Sequence, residues 1–316
     1  MREFLFFSLL VYGSLFCGWA AGKIRPPLRE LSRGLARWTV LLIETPTILL
    51  IYWGIRQQEF LAYYRIPLVS VVVYSLSGAA GYLIVRLYRR NRAFEGAFTV
   101  SSVLSNVGPT LGGFLCLLYL GSRGLLLSQI YTLLFVPYFF TVVFVVARMF
   151  STGRKLGFVG AIRENFKDPL SLFPVSAILV GITLGLSGAG FPPFLELPRR
   201  LFVYAAVVSF SVSFGLGMRI RLLGREWKSY LGILPVKFVV APAIGALLAT
   251  AVGYSLSADP LAFKVIIVQS AMPVAIWAVV AAKIFRLDEQ FAVGAWIFTT
   301  IATLGLLPFI EWLSGL

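Results

Sequence analysis

The chain has 316 residues, 59% of them hydrophobic and 13% charged, with 28 Lys and Arg against 13 Asp and Glu and no histidine. A soluble domain cannot bury that share of apolar surface, so lipid is the expected solvent for most of the chain. The lack of histidine removes Ser-His-Asp and Cys-His catalysis, His-ligated zinc or haem, and a histidine proton relay.

Apolar stretches near the ~20 residues that cross a bilayer as a helix recur from end to end. In chain order, span 1 is expected over 4–21, span 2 over 38–55, span 3 over 67–87, span 4 over 97–120 and span 5 over 125–147. Span 6 follows over 169–187, span 7 over 201–217, span 8 over 230–254, span 9 over 261–284 and span 10 over 290–313. Backbone groups in lipid must pair within their own segment, so these are helices; a barrel would show short alternating strands. The first stretch also has signal-peptide features, Arg2 before an apolar run that ends at Ala20-Ala21. A retained helix is the preferred reading because span 6 needs a counterpart.

Spans 6 to 10 follow spans 1 to 5 at a nearly constant offset of roughly 165 residues, the mark of a duplication. Five is odd, so the two copies face opposite ways. The expectation is an all-α membrane protein of ten transmembrane helices, built as two inverted five-helix repeats over 1–150 and 169–316. The linker, 151–168, carries a short interfacial helix at most.

The loop charges agree with this layout. Most of the basic residues fall between spans 1 and 2 (Lys23, Arg25, Arg29, Arg33, Arg37), 3 and 4, 5 and 6, 7 and 8, and 9 and 10. The positive-inside rule makes that side cytoplasmic and places both termini outside a plasma or inner membrane. The net charge of +15 therefore reads as topology and not as nucleic-acid binding. Cys17 and Cys116 sit in apolar spans and are expected as buried packing thiols; no cysteine pair has metal-site spacing. No metal or cofactor is called for.

Span 4 is interrupted by Ser105-Asn106-Val107-Gly108-Pro109-Thr110-Leu111-Gly112-Gly113. Proline removes a backbone donor and glycine loosens the helix on either side. Span 9 is interrupted at matching depth by Gln269-Ser270-Ala271-Met272-Pro273. Breaks at corresponding positions of two repeats point to a transporter site. Pro109 and Pro273 suit the first turn of the second half-helices. Two half-helix N-termini then present free N–H groups and positive dipole ends at the midplane, a setting for an anion such as a carboxylate. The candidate site is Asn106, the backbone at Gly108, Pro109 and Thr110, and Gln269, Ser270, Met272 and Pro273. The competing reading is an ordinary kink in each helix, with Ser105 and Ser270 serving helix packing. Trp277 either lines the site or packs. Two ionisable residues, Glu44 and Lys237, lie inside spans and are candidates for coupling or support; each is near enough to a basic loop to snorkel, and the two pair if spans 2 and 8 touch.

The run Gln269 to Phe285, QSAMPVAIWAVVAAKIF, with Arg286-Leu287-Asp288 after it, resembles the auxin efflux carrier (AEC) transporter family. So do the Thr-rich tail from Phe298 to Pro308, the Asn106-x-Gly108 break, and Lys237 ahead of Pro242. The sequence departs from the family's pattern at Pro109, which follows Gly108 at once, where many bacterial members place a proline several residues later. The resemblance implies the crossover fold shared with bile-acid symporters and sodium/proton antiporters. It implies a scaffold of spans 1, 2, 6 and 7, through which a homodimer forms, and a mobile core of spans 3 to 5 and 8 to 10. It also implies an auxin-like carboxylate or a dicarboxylate as cargo and an elevator-like movement.

The expected function is thus secondary-active transport of a small organic anion. The first rival is a sodium-coupled symporter of the bile-acid type, although the core spans offer Asn106 and Gln269 but no midplane Asp or Glu. A ligand sensor on the same fold is the second. A membrane-embedded enzyme is disfavoured by the missing histidine, the missing Asp-Asp pair within spans and the missing G-x-S-x-G elbow.

Overall fold

The computed structural model describes residues 2–54, 61–108, 111–151, 157–218 and 227–315, with side chains from residue 9 onward. In chain order the helices are α1 (Arg2–Ile24), α2 (Leu28–Trp53), α3 (Arg65–Val85), α4 (Arg92–Val103), α5 (Leu111–Tyr131), α6 (Phe144–Phe150) and α7 (Phe158–Asn165). They continue with α8 (Pro169–Leu186), α9 (Glu196–Gly217), α10 (Trp227–Ala251), α11 (Pro260–Ser270), α12 (Ile276–Ile284), α13 (Glu289–Ala302) and α14 (Leu307–Gly315). The described residues form no strand beyond an isolated antiparallel bridge between Ser105 and Val274.

Seven helical stretches among the described residues are long and apolar enough to cross a membrane: Leu28–Trp53, Arg65–Tyr88, Leu111–Phe150, Pro169–Leu186, Pro193–Gly217, Trp227–Ala251 and Glu289–Gly315. The protein is therefore helical and membrane-embedded. Large apolar side chains such as Leu83, Leu179 and Leu247 are exposed along these stretches, as a lipid-facing surface requires.

The stretch Leu111–Phe150 contains a sharp turn at Gly121, which adopts φ 73 and ψ −169. Spans 4 and 5 were expected to be parted by the loop 121–124. The reversal falls within it, on Gly121 alone, because that region of backbone space is open to glycine and almost nothing else. Within the expected linker, α7 is a short helix with Phe158 and Val159 exposed, and it is tied down at its far end. Asn165 Nδ2 donates to the Phe140 carbonyl at 2.9 Å, and its Oδ1 accepts from the Ser171 hydroxyl at 2.8 Å.

The chain divides into two compact units, and each takes segments from both halves of the sequence. The first contains residues 1–60, 139–149 and 156–220; the second contains 61–138, 150–155 and 221–316. In the first unit α1 runs along α9 with almost no side chain between them. A methyl group at Gly22 would lie 2.8 Å from the Leu216 carbonyl oxygen, and one at Gly18 or Gly215 would collide outright with the facing backbone. Small residues four apart allow such approach where lipid supplies no hydrophobic drive between helices. Because α1 spends its glycine face on α9, Cys17 is exposed on another side, and the expectation of two buried thiols holds only for Cys116. The same unit joins α2 to α8 and α9. Gly181 backs onto the Leu49 carbonyl, and the Ser213 hydroxyl donates to the Ser32 carbonyl at 2.6 Å. Arg148 and Asp168 form an ion pair at 2.6 Å, and Asp168 Oδ1 also caps α8 by accepting from the Leu170 N–H at 3.0 Å.

In the second unit α3 packs on α4, with Gly78 and Gly81 against Val103 and Ser102. Helix α11 packs on both α5 and α10. Phe98 and Phe291 stack at 5.5 Å and fasten α4 to α13, while Tyr74 meets Tyr131 edge-on at 6.0 Å and fastens α3 to α5.

Candidate functional site: two broken helices joined at their breaks

Helix α4 stops at Val103 because Leu104 turns extended, at φ −88 and ψ 122. The chain stays non-helical through Gly108, whose φ of +71 a glycine adopts without steric cost. Helix α11 stops at Ser270, and helical structure resumes only at Ile276. Between them Pro273 has no N–H to give, and it steers Met272 away from helical geometry.

The two breaks pair with each other. The Asn106 N–H donates to the Pro273 carbonyl at 2.7 Å, and the Ala275 N–H donates to the Leu104 carbonyl at 3.0 Å, flanking the Ser105–Val274 bridge. Backbone groups that a break would strand in lipid are thus satisfied by the other break. This pairing corrects one expectation. Pro273 does not open the second half-helix; Ala275 is the N-cap of α12, because residues 273–275 are drawn out extended to make the bridge. Pro109 and Thr110 lie outside the described residues, and α5 is helical from Leu111.

The expected site residues divide by accessibility. Asn106 is partly accessible, as are Ile276 and Trp277 across the bridge. Gln269, Ser270, Met272 and Pro273 are buried. The Gln269 carboxamide is already used by the protein: its Oε1 accepts from the Gly108 N–H at 3.0 Å, and its Nε2 donates to Cys116 Sγ at 3.2 Å. The Ser270 hydroxyl donates to the Ile266 carbonyl at 2.7 Å and lies 3.2 Å from the Tyr131 hydroxyl. These two side chains hold the crossing together, and among the described residues Asn106 is the polar side chain of the two breaks with accessible surface.

Two further side chains complete the crossing, one from the Thr-rich tail and one the lysine singled out inside span 8. The Val274 N–H would be stranded by the break, and the Thr299 hydroxyl of α13 accepts from it at 3.0 Å. Lys237 is fully buried, and its ammonium donates to the Ser102 carbonyl at 2.8 Å, the Leu104 carbonyl at 2.9 Å and the Ser105 hydroxyl at 3.0 Å. Of the roles open to Lys237 in the sequence, which included pairing with Glu44 were spans 2 and 8 to touch, the structure has this set of three acceptors, which matches the three protons of an ammonium. No carboxylate lies within ion-pair distance of Lys237 among the described residues.

Glu44 and Lys237 share a local feature. Each lies in a five-residue π-turn inside its helix, Val40–Glu44 and Val236–Val240. A proline follows each turn, Pro46 or Pro242, near the start of the α-helical continuation. A proline ring clashes with the carbonyl four residues earlier in an α-helix, and a wider turn relieves that clash. A charge a few residues ahead of a proline inside an apolar span is the legible trace of this arrangement. Glu44 is buried in the first unit and has no hydrogen-bond or ion-pair partner among the described residues.

The electrostatics follow from the helix ends. Helices α5 and α12 begin beside the crossing and turn positive dipole ends toward it, while α4 ends there with its carbonyls, which Lys237 neutralises. Helix α11 also ends at the crossing, so two helix starts and two helix ends meet there, with the Lys237 side chain against one of those ends. No protein-family model matches the sequence, and no curated protein matches it either.

Proposed function

We propose that the protein is a secondary-active carrier of a small organic anion, with the joined breaks as its substrate site. The carrying observation is the reciprocal backbone pairing of Asn106 with Pro273 and of Ala275 with Leu104, beside two helix N-termini and one buried ammonium. Discontinuous helices meeting inside an apolar bundle are how carriers build a polar site in lipid. The reading takes the chain as ten spans in two inverted repeats, with both termini outside, and as an AEC-type crossover carrier. Its support is that a helix end and a helix start fall at each of the two matched breaks. The division into two units supports it further. Spans 1, 2, 6 and 7 fall in one unit and spans 3, 4, 8, 9 and 10 in the other, while span 5, expected in the core, is divided between them after residue 138. Elevator movement and a homodimer through the first unit belong to the same proposal.

Transport in proteoliposomes tests it. Purified protein is challenged with monocarboxylates, dicarboxylates and indole acids, with and without a sodium gradient, beside Asn106→Ala. Saturable movement of one anion class, lost in Asn106→Ala at unchanged melting temperature, is the expected result. Normal transport by Asn106→Ala would remove the crossing as the site. Saturable binding with no movement would favour a sensor, and sodium-dependent uptake a bile-acid-type symporter.

A further inference from the structure

We infer that Lys237 is a built-in cation at the crossing, occupying the oxygens that would otherwise hold an exchangeable metal cation. Unwound carbonyls and the C-terminal end of a half-helix are where carriers with broken helices coordinate a coupling ion. In this protein those groups are the Ser102 and Leu104 carbonyls at the end of α4, with the Ser105 hydroxyl beside them. All three are taken by one ammonium at 2.8, 2.9 and 3.0 Å. Three oxygens around a buried monovalent charge satisfy it whether the charge is an alkali ion or an ammonium, but the ammonium is tethered by its own stem and cannot leave.

The placement also couples the charge to the crossing. The Leu104 carbonyl accepts both from Lys237 Nζ and from the Ala275 N–H, so its two lone pairs join the cation to the bridge between breaks. Ser105 does the same through its side chain and its pairing with Val274. The π-turn at Val236–Val240 is the local device that carries the lysine. The consequence for the proposed carrier, which rests on that reading, is that an anion binds beside a tethered lysine nitrogen that already fills these oxygens, and needs no co-bound metal cation at α4.

Thermal unfolding of the purified full chain tests the cation role without any substrate. At fixed ionic strength the wild-type melting temperature is expected to be the same in sodium, potassium and choline chloride. Lys237→Ala and the neutral isostere Lys237→Met are each expected to melt lower, by on the order of 5 °C. Propylammonium, the piece that Lys237→Ala removes, restores Lys237→Ala in a choline background, and n-propanol does not. Sodium raises the melting temperature of Lys237→Ala above its value in choline. A wild-type protein stabilised by sodium over choline would overturn the inference, because an exchangeable site would then exist beside the lysine. So would a Lys237→Met variant as stable as wild type, or a Lys237→Ala variant rescued equally by propanol, since charge would then be irrelevant. Where Lys237→Ala does not fold, the wild-type salt series and Lys237→Met still decide. Absence of anion transport in the wild type would sink the carrier reading alone and leave this melting pattern intact.

Discussion

Replacing Gln269 with leucine tests how the crossing is held. The side chain is fully buried and has two bonds, one from the Gly108 N–H at 3.0 Å and one to Cys116 Sγ at 3.2 Å. Leucine is close in size, so packing changes little and the loss is polar. The Gly108 N–H is left buried without its acceptor, which costs about 1–3 kcal/mol. The thiol is a weak acceptor and its loss adds little. A destabilisation of about 2 kcal/mol corresponds to a fall in melting temperature of about 4–8 °C for a chain of this class. The assay is tryptophan-fluorescence melting of the purified protein in detergent, followed by the anion panel in proteoliposomes. A Gln269→Leu variant that melts within about 1 °C of wild type would refute the reasoning, since the Gly108–Gln269 bond would then carry no weight. The paired variant Gly112→Ala bears on the same spot: its methyl would lie 2.7 Å from Gln269 Oε1, so it is expected to displace the same carboxamide and reproduce the loss.

Three further outcomes are expected. Gly108→Ala places a side chain at φ +71 and against Thr132, and it should lower stability by about 1–2 kcal/mol, read by the same melt. Gly18→Leu forces α1 away from the α9 backbone, and should cost about 1–3 kcal/mol or abolish folding, with yield of monodisperse protein by size exclusion as the check. Asp168→Ala removes both the cap of α8 and the partner of Arg148, and should cost about 1–3 kcal/mol. Asp168→Asn, which keeps a capping oxygen, should cost less, and high salt should narrow the gap between them by screening the ion pair.

The sequence alone determined the solvent and the places where helices fail. An apolar run must be helical in lipid because its backbone has no other partner, so the runs over 38–55, 67–87, 169–187 and 201–217 locate helices wherever their side chains end up. Glycine and proline act on their own local backbone, so the breaks at Asn106–Gly108 and Met272–Pro273 are legible without knowing a single neighbour. Only the tertiary structure decided what those breaks do. That Asn106 pairs with Pro273, that Gln269 is consumed by Gly108 and Cys116, and that Thr299 serves Val274 are contacts across more than 20 positions of chain, and no local pattern encodes them. Pro273 was misplaced into a helix for the same reason, since the bridge that pulls it straight comes from the other break. The role of Lys237 belongs with these. A lone charge in an apolar span can snorkel, pair with an acid or neutralise a helix end, and the choice depends on which oxygens the fold brings within about 3 Å of its nitrogen.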